Sequence, residues 1–207
     1  HSASNDTTHR PPGSWEFWKT ATDQVDLFAY QTAMDGKGGP FGSSIYVYHA
    51  PSERYVLIGG GLDSNAVVSK GIASAHAEAE NLSPKNRQEL ADFLRKDQQK
   101  QRDIQKKKNS DDIVADYSVV QVSSGESCPS CRSKQIAFAE ELYRLGLLKP
   151  KAFFVVYKTC YERTFMDAGF NDAPYDMLFR VINHEGLSTT RQLDATLASN
   201  EAVAKGV

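Results

Sequence analysis

The stretch Asp116–Leu145, DYSVVQVSSGESCPSCRSKQIAFAEELYRL, decides the fold expected for this chain. Its first part, Asp116 to Ser123, contains a run of valines that predicts a buried strand. Its second part, Pro129 to Leu145, predicts a helix, because apolar side chains recur there at helical spacing. A buried strand that leads directly into an amphipathic helix indicates a layered α/β domain.

The rest of the chain alternates between strand and helix patterns in the same way. Apolar spacing predicts a helix from Trp15 to about Met34, with Ser14 as its N-cap. The strands Ser43 to Tyr48 and Tyr55 to Ile58 are predicted to form a hairpin, and a helix is predicted to begin near His76. Further along the chain, a fourth strand is predicted over Ala152 to Tyr157, followed by two short helices over Glu162 to Met166 and Tyr175 to Val181. We therefore expect a mixed sheet that is flanked by helices.

The length of 207 residues suits one domain with extensions better than two full domains. We expect a flexible N-terminal segment over residues 1–13, a domain over 14–183 and a weakly helical C-terminal extension over 184–207. Within the domain, the composition of residues 84–112 shifts to Lys, Gln, Arg, Asp and Asn. The apolar stripe of Leu90, Phe93 and Leu94 predicts a helix there, which frays into an exposed, solvated loop. The alternative is a patch for nucleic acid or another partner.

The overall composition argues against several classes of protein. Lys and Arg total 24 against 26 Asp and Glu, so no basic field favours a polynucleotide, although a local patch would suffice. No apolar run approaches the length of a membrane helix, and no signal peptide is recognisable. Of the three cysteines, two form a Cys-x-x-Cys pair, which favours a reducing, cytoplasmic location over a disulfide framework.

Two short motifs precede or begin predicted helices. They are His76-Ala77-Glu78 and Glu126-Ser127-Cys128-Pro129-Ser130-Cys131. The two cysteines lie one helical turn apart, so both sulfurs can face one point. One imidazole and two thiolates are three ligands for tetrahedral zinc, and they leave a fourth position open, as in catalytic sites. We expect one Zn²⁺ per chain, held by His76, Cys128 and Cys131, with a bound water or hydroxide. The helix N-termini favour thiolate over thiol.

Glu78 is the predicted catalytic residue. It lies two residues from the ligand His76 and can take a proton from water that the metal has activated. It can then deliver protons to a ring nitrogen and to a departing amine. His-x-Glu followed by Cys-x-x-Cys is a signature of the zinc deaminases.

Other readings of the same motifs stay open. The cysteines could be a redox pair, or part of a structural zinc site closed by Cys160 or His184. The order of the motifs favours catalytic zinc, because a strand precedes the cysteine pair and a helix follows each motif. Cys160 fits a small buried hydrophobic residue better than a ligand.

On these motifs the chain resembles the cytidine and deoxycytidylate deaminase superfamily, in its guanine deaminase or nucleoside deaminase branch. Three further segments resemble that branch: Gly39-Pro40-Phe41-Gly42, Asn65, and Asp167-Ala168-Gly169-Phe170-Asn171-Asp172, which is similar to a D-x-G-F-D-D tract. The resemblance implies a cytidine-deaminase-like three-layer sandwich. It also implies substrate contacts from Phe41, Asn65, Ala77, Asn171 and Asp172, with the Asn65 amide on the base.

The chain departs from the family pattern in three places. Ser127 stands where relatives usually have Pro; we expect a minor effect, because Ser can adopt the φ angle that Pro fixes. The insertion over 84–112 lengthens the gap between the motifs. Asn171 replaces the first acidic residue of the G-F-D-D tract, whereas Asp172 is retained. Because Asn can both donate and accept hydrogen bonds, the choice among guanine, another aminopurine, a nucleoside or a modified base stays open.

These observations predict hydrolytic deamination of a nucleobase or nucleoside, first an aminopurine such as guanine, with release of ammonia. Relatives are usually dimers, so a homodimer is expected; no membrane partner is. One alternative is a deaminase of single-stranded DNA or RNA, which the Lys-rich insertion favours and the overall charge does not. Another is an inactive, zinc-stabilised binding module, which would have no need of Glu78.

Overall fold

The computed structural model describes residues 10–36, 38–67, 74–159, 177–182 and 190–192. Helices and strands alternate along this part of the chain in the order α1 (Trp15–Met34), β1 (Gly38–His49), β2 (Arg54–Val67), β3 (Ser74–Ala75), α2 (Ala77–Asn81), α3 (Pro84–Ile104), α4 (Ser110–Ala115), β4 (Tyr117–Gly125), α5 (Pro129–Arg144), β5 (Phe153–Thr159), β6 (Leu178–Ile182) and β7 (Thr190–Gln192).

The described strands form one mixed sheet of seven strands in the order β3-β2-β1-β4-β5-β6-β7. Strands β4 and β5 pair in parallel, whereas every other neighbouring pair is antiparallel. The parallel pair needs a crossover connection, and α5 supplies it. The predicted mixed sheet is therefore confirmed, and its parallel centre places the start of α5 at the carboxyl end of β4.

Helices cover both faces of this sheet. On one face, Trp18 and Val25 of α1 share a core cluster with Val120 and Phe154. On the other face, α3 and α5 pack against the neighbouring strand residues, which include Val119. Successive residues of a strand point to opposite faces, so β4 and β5 contribute to both cores. This arrangement confirms the predicted three-layer α/β sandwich.

The first helix has the predicted bounds and cap. The Ser14 hydroxyl accepts a hydrogen bond from the Phe17 backbone N–H at 3.1 Å, as expected of an N-cap. The Trp18 indole N–H donates to the Pro12 carbonyl at 2.5 Å, so the residues directly before α1 pack against it. Residues 1–9 of the predicted flexible segment lie outside the described residues.

Gly42, the last residue of the Gly-Pro-Phe-Gly segment, has a packing reason to lack a side chain. A Cβ atom at this position would lie 2.2 Å from the Val25 carbonyl oxygen of α1. Its backbone N–H donates to the Ser124 hydroxyl at 3.0 Å. The segment therefore lets α1 approach the backbone of β1 closely.

The prediction that residues 84–112 fray into an exposed loop was wrong. Helix α3 continues to Ile104, and α4 follows within six residues. The predicted apolar stripe is present, but buried polar residues extend it: the Tyr117 hydroxyl donates to the Asp97 carboxylate at 2.5 Å, and the Gln98 amide donates to the Leu147 carbonyl at 2.8 Å. Hydrogen bonds to distant residues anchor this helix, and composition does not reveal them.

The prediction of a helix from Tyr175 to Val181 was also wrong where the structure describes it. Leu178–Ile182 forms strand β6, paired antiparallel with β5. Leu178 and Phe179 point into the two opposite cores, so the segment is apolar on both faces. Periodicity cannot distinguish such a short run from a buried helix. Strand β7 extends the sheet into the predicted C-terminal extension, and the helix predicted over Glu162 to Met166 lies outside the described residues.

Candidate metal centre

Both motifs lie at helix starts, as the sequence predicts. His76 is the N-cap of α2, and Cys128 is the N-cap of α5, each with an extended backbone conformation. Pro129 occupies the first turn of α5, where its missing N–H leaves no hydrogen bond unmade. Helix α2 contacts α5. The two helices thus bring their first turns together at one edge of the sheet.

The three predicted ligands converge. The ligand atoms of His76, Cys128 and Cys131 all lie within 4.8 Å of one another. The Nδ1 atom of His76 is 3.2 Å from the Cys128 sulfur and 3.3 Å from the Cys131 sulfur. Zinc–sulfur bonds of about 2.3 Å and zinc–nitrogen bonds of about 2.0 Å would set these atoms roughly 3.5 Å apart in a tetrahedron. The two nitrogen–sulfur distances fit such an ion to within a few tenths of an ångström.

Exposure changes across the cluster. Cys131 is buried, Cys128 is half-buried and His76 is exposed. No fourth His, Cys, Asp or Glu joins the group within the described part of the chain. Cys160 and His184, the alternative closing ligands, lie outside that part. Among the residues that are described, the cluster offers three ligands and an open side.

The Glu78 side chain interacts with the Cys131 sulfur and is 4 % exposed. Burial raises the pKa of the Glu78 carboxyl, and hydrogen bonds to its own backbone and to Cys131 oppose that rise in part. A carboxyl with a raised pKa holds its proton more readily than an ordinary carboxyl does, and this is the direction that a general acid or base needs. The predicted catalytic residue therefore has the environment of a general acid or base.

Burial also raises the pKa of the Cys131 thiol, and the nearby Glu78 charge raises it further. These two effects act in the opposite direction to the helix N-terminus, which we expected to favour thiolate. A divalent cation among the three ligands reverses the balance, because coordination removes the thiol proton. Metal binding at this candidate centre would therefore be coupled to proton release.

The predicted substrate contacts are described only in part. Phe41 is half-buried in β1, and Ala77 is fully buried at the start of α2. Asn65 lies in β2, where the structure describes the backbone but not the side chain. Asn171 and Asp172 lie outside the described residues. The contacts of all five with a substrate stay predictions.

Sequence reasoning missed a buried ion pair beside the cysteine motif. The Arg180 guanidinium lies 2.5 Å from the Glu126 carboxylate, and both side chains are at most 5 % exposed. Glu126 precedes Cys128 by two residues, and Arg180 projects from β6. The signal was an arginine within the apolar run Leu178–Ile182, because a buried charge needs a partner.

Sequence reasoning also missed two buried glutamines, Gln121 in β4 and Gln135 in α5. Gln121 interrupts the valine run of β4, and this break is the signal that could have found it. Gln121 donates a hydrogen bond to the backbone of Glu78 in the first motif, and Gln135 donates one to Ser127 in the second.

No protein-family model matches this chain, and no curated protein matches it with statistical significance. The fold and the site therefore define its class: a three-layer α/β protein with a candidate metal centre of one imidazole and two thiols. None of the helices in the described part of the chain combines the length and apolar character needed to cross a membrane.

Proposed function

We propose that this protein is a zinc-dependent hydrolytic deaminase of a nucleobase or nucleoside, and that its first candidate substrate is an aminopurine such as guanine. One observation carries the proposal: His76 Nδ1 lies within 3.3 Å of both cysteine sulfurs, and the buried Glu78 side chain interacts with the Cys131 sulfur. The resemblance of the two motifs to the cytidine deaminase superfamily supports it.

In this proposal, His76, Cys128 and Cys131 hold one zinc ion per chain. Two thiolates and an imidazole are donors that zinc prefers, and three protein ligands are typical of its catalytic sites. When bound, zinc supplies a Lewis acid that makes water nucleophilic near neutral pH.

Glu78 moves the protons of the reaction. It accepts a proton from the attacking water as the oxygen adds to the amino-bearing ring carbon, and it passes that proton to the adjacent ring nitrogen. Glu78 then transfers the second proton of the water to the exocyclic amine, the carbon–nitrogen bond breaks and ammonia leaves. One water is consumed, one ammonia is released and no electrons change hands.

The substrate contacts proposed for the chain are Phe41, Asn65, Ala77, Asn171 and Asp172. An amide such as Asn65 can pair with donor and acceptor edges of a base, so analogues that lack one edge leave a polar group unpaired. The first backbone N–H groups of α5 would stabilise negative charge that develops near the metal. A homodimer is part of this proposal, on the resemblance alone.

Ammonia release from zinc-loaded protein tests the proposal. The panel is guanine, guanosine, adenine, cytosine, cytidine and single-stranded DNA, with Glu78→Gln as the inactive variant. Glu80→Gln, on the same helix, is the matched control. We expect release from one small substrate, and a loss of roughly 10²- to 10⁴-fold in Glu78→Gln but not in the control.

Three outcomes would contradict this expectation. Release from DNA alone would indicate a polynucleotide deaminase. Zinc binding that stabilises the fold without any release would indicate a binding module. Equal activity in Glu78→Gln and the wild type would remove Glu78 from the mechanism.

A further inference from the structure

A chain of buried amides connects the two halves of the candidate metal centre. Gln121 of β4 and Gln135 of α5 are both 0 % exposed. The side-chain amide nitrogen of Gln135 donates to the side-chain oxygen (Oε1) of Gln121 at 2.7 Å and to the Ser127 hydroxyl at 2.9 Å. One amide group thus links the strand to the residue directly before Cys128.

The second amide reaches the other motif. The Gln121 side-chain amide donates to the backbone carbonyl of Glu78 at 3.1 Å. Helix α2 spans only five residues, and the N–H of Leu82, four residues after Glu78, donates to the Ala79 carbonyl. Carbonyls in the last turn of a helix need partners from outside it. Gln121 supplies one to the main chain of Glu78.

The same network ties α2 to the sheet. The Gln121 amide lies 3.4 Å from the Asn81 side-chain oxygen, and the Asn81 amide donates to the Ser43 carbonyl of β1 at 3.4 Å. Asn81 is 1 % exposed. Strands β1 and β4, the short helix α2 and the start of α5 are therefore joined by polar contacts within the protein interior.

We infer that Gln121 and Gln135 are positioning residues, which hold Glu78 and the loop that ends at Cys128 in register. The inference rests on the metal-site part of the proposed function. An amide that loses its hydrogen-bond partner in a low-dielectric interior costs free energy. Buried hydrogen bonds of this kind therefore keep their partners in one position, and in metal sites they orient the ligands. The Ser127 hydroxyl accepts a hydrogen bond at the position where the deaminases that this chain resembles usually have proline. Proline restrains the backbone by fixing its φ angle, whereas here the hydrogen bond from Gln135 restrains the loop.

The test compares two buried glutamines in the full chain, with cobalt as the metal probe. Gln135→Met removes the amide donors near the metal. Gln98→Met is the matched control, since Gln98 is also 0 % exposed and donates to the Leu147 carbonyl at 2.8 Å. Leu147 lies beyond the last turn of α5, about 24 Å along the helix from its first turn.

We expect both variants to unfold at lower temperature than the wild type. Only Gln135→Met is expected to weaken Co²⁺ affinity, by roughly 10- to 100-fold, and to change the visible absorption of the cobalt protein. Those bands report the geometry of the sulfur and nitrogen ligands and do not depend on turnover. A purely structural glutamine would lower stability without changing them.

The outcomes separate the two proposals. A wild type without a tetrahedral cobalt–thiolate spectrum would overturn the proposed function, and this inference with it. A normal wild-type spectrum with an unchanged Gln135→Met spectrum, and affinity within about threefold, would overturn this inference alone. If Gln135→Met does not fold, Ser127→Ala is used in its place. Ser127→Ala removes the hydroxyl that accepts the hydrogen bond from Gln135, so it is also expected to change the absorption spectrum of the cobalt protein.

Discussion

At the residue scale, burial controls the chemistry of the candidate metal centre. Burial raises the pKa of both the Glu78 carboxyl and the Cys131 thiol, but the raised pKa affects their proposed roles in opposite ways. A general acid or base benefits from a raised carboxyl pKa, whereas a metal ligand must lose its proton. In the proposed deaminase, the same buried environment would favour proton transfer by Glu78, whereas the Cys131 thiol would lose its proton only when a cation binds.

His49, another buried ionisable residue, is the last residue of β1. Its Nδ1 atom is 2.7 Å from the Ser52 hydroxyl, and its ring lies 4.8 Å from that of Tyr117. Its Nε2 atom has no hydrogen-bond partner among the described residues. Burial is the largest effect and lowers the pKa of His49; the Arg54 charge lowers it further, whereas the Asp97 charge opposes both.

This lowered pKa predicts a loss of stability in acid. Unfolded His49 titrates near its usual pKa of about 6.5, whereas the folded residue takes up its proton only at lower pH. The unfolded state therefore binds more protons below pH 6.5, and the free energy of unfolding falls as the pH falls. Urea unfolding of the wild type and His49→Gln at several pH values between 7.5 and 5 measures this. The variant is expected to show a shallower slope; equal slopes would contradict the assignment.

At the element scale, several helix and strand bounds agree with the sequence prediction because their signals are local. Helix α1 has a capping serine and a regular apolar spacing, and its observed bounds equal the predicted ones. Strand β6 shows the limit of such signals. The run Leu178–Ile182 has no period of its own, and its pairing with β5 decides that it is extended.

The loop between β4 and α5 contains Glu126, which forms a buried ion pair with Arg180. Arg180→Met leaves the Glu126 carboxylate without this partner in the protein interior, so we expect a loss of roughly 3–5 kcal/mol of unfolding free energy. The double variant Arg180→Met/Glu126→Gln is expected to recover part of that loss, because the buried charge is gone. Urea unfolding of the two single variants and the double variant gives the coupling energy. Additive effects would show that the pair does not act as a unit.

At the scale of the whole molecule, the metal centre connects segments that are far apart in sequence. His76 and Cys128 are 52 residues apart, and an ion that binds both links the hairpin side of the sheet to α5. An ion that binds only the folded state raises its stability.

Zinc is therefore expected to stabilise the fold. At a free concentration 100 times its dissociation constant, the gain is about 2.7 kcal/mol, and a chelator reverses it. Cys131→Ser is expected to lose this gain, whereas Ser133→Ala, an exposed serine on the same helix, is expected to keep it. Thermal unfolding with and without zinc measures both. Equal stabilisation of Cys131→Ser and the wild type would place the metal elsewhere.

The sequence by itself determined the candidate metal ligands, the candidate catalytic residue Glu78, the helix starts on which they lie and the alternation of strands and helices that predicts a layered α/β fold. These features depend on neighbours within a turn or a strand, so they can be predicted locally. Only the tertiary structure decided that the Nδ1 atom of His76 lies 3.2 Å from the Cys128 sulfur. It also decided that hydrogen bonds of Asp97 and Gln98 hold the polar helix α3 in place, and that buried glutamines connect the two motifs. Those contacts join residues far apart in sequence, and the order and register of the strands determine which of them meet.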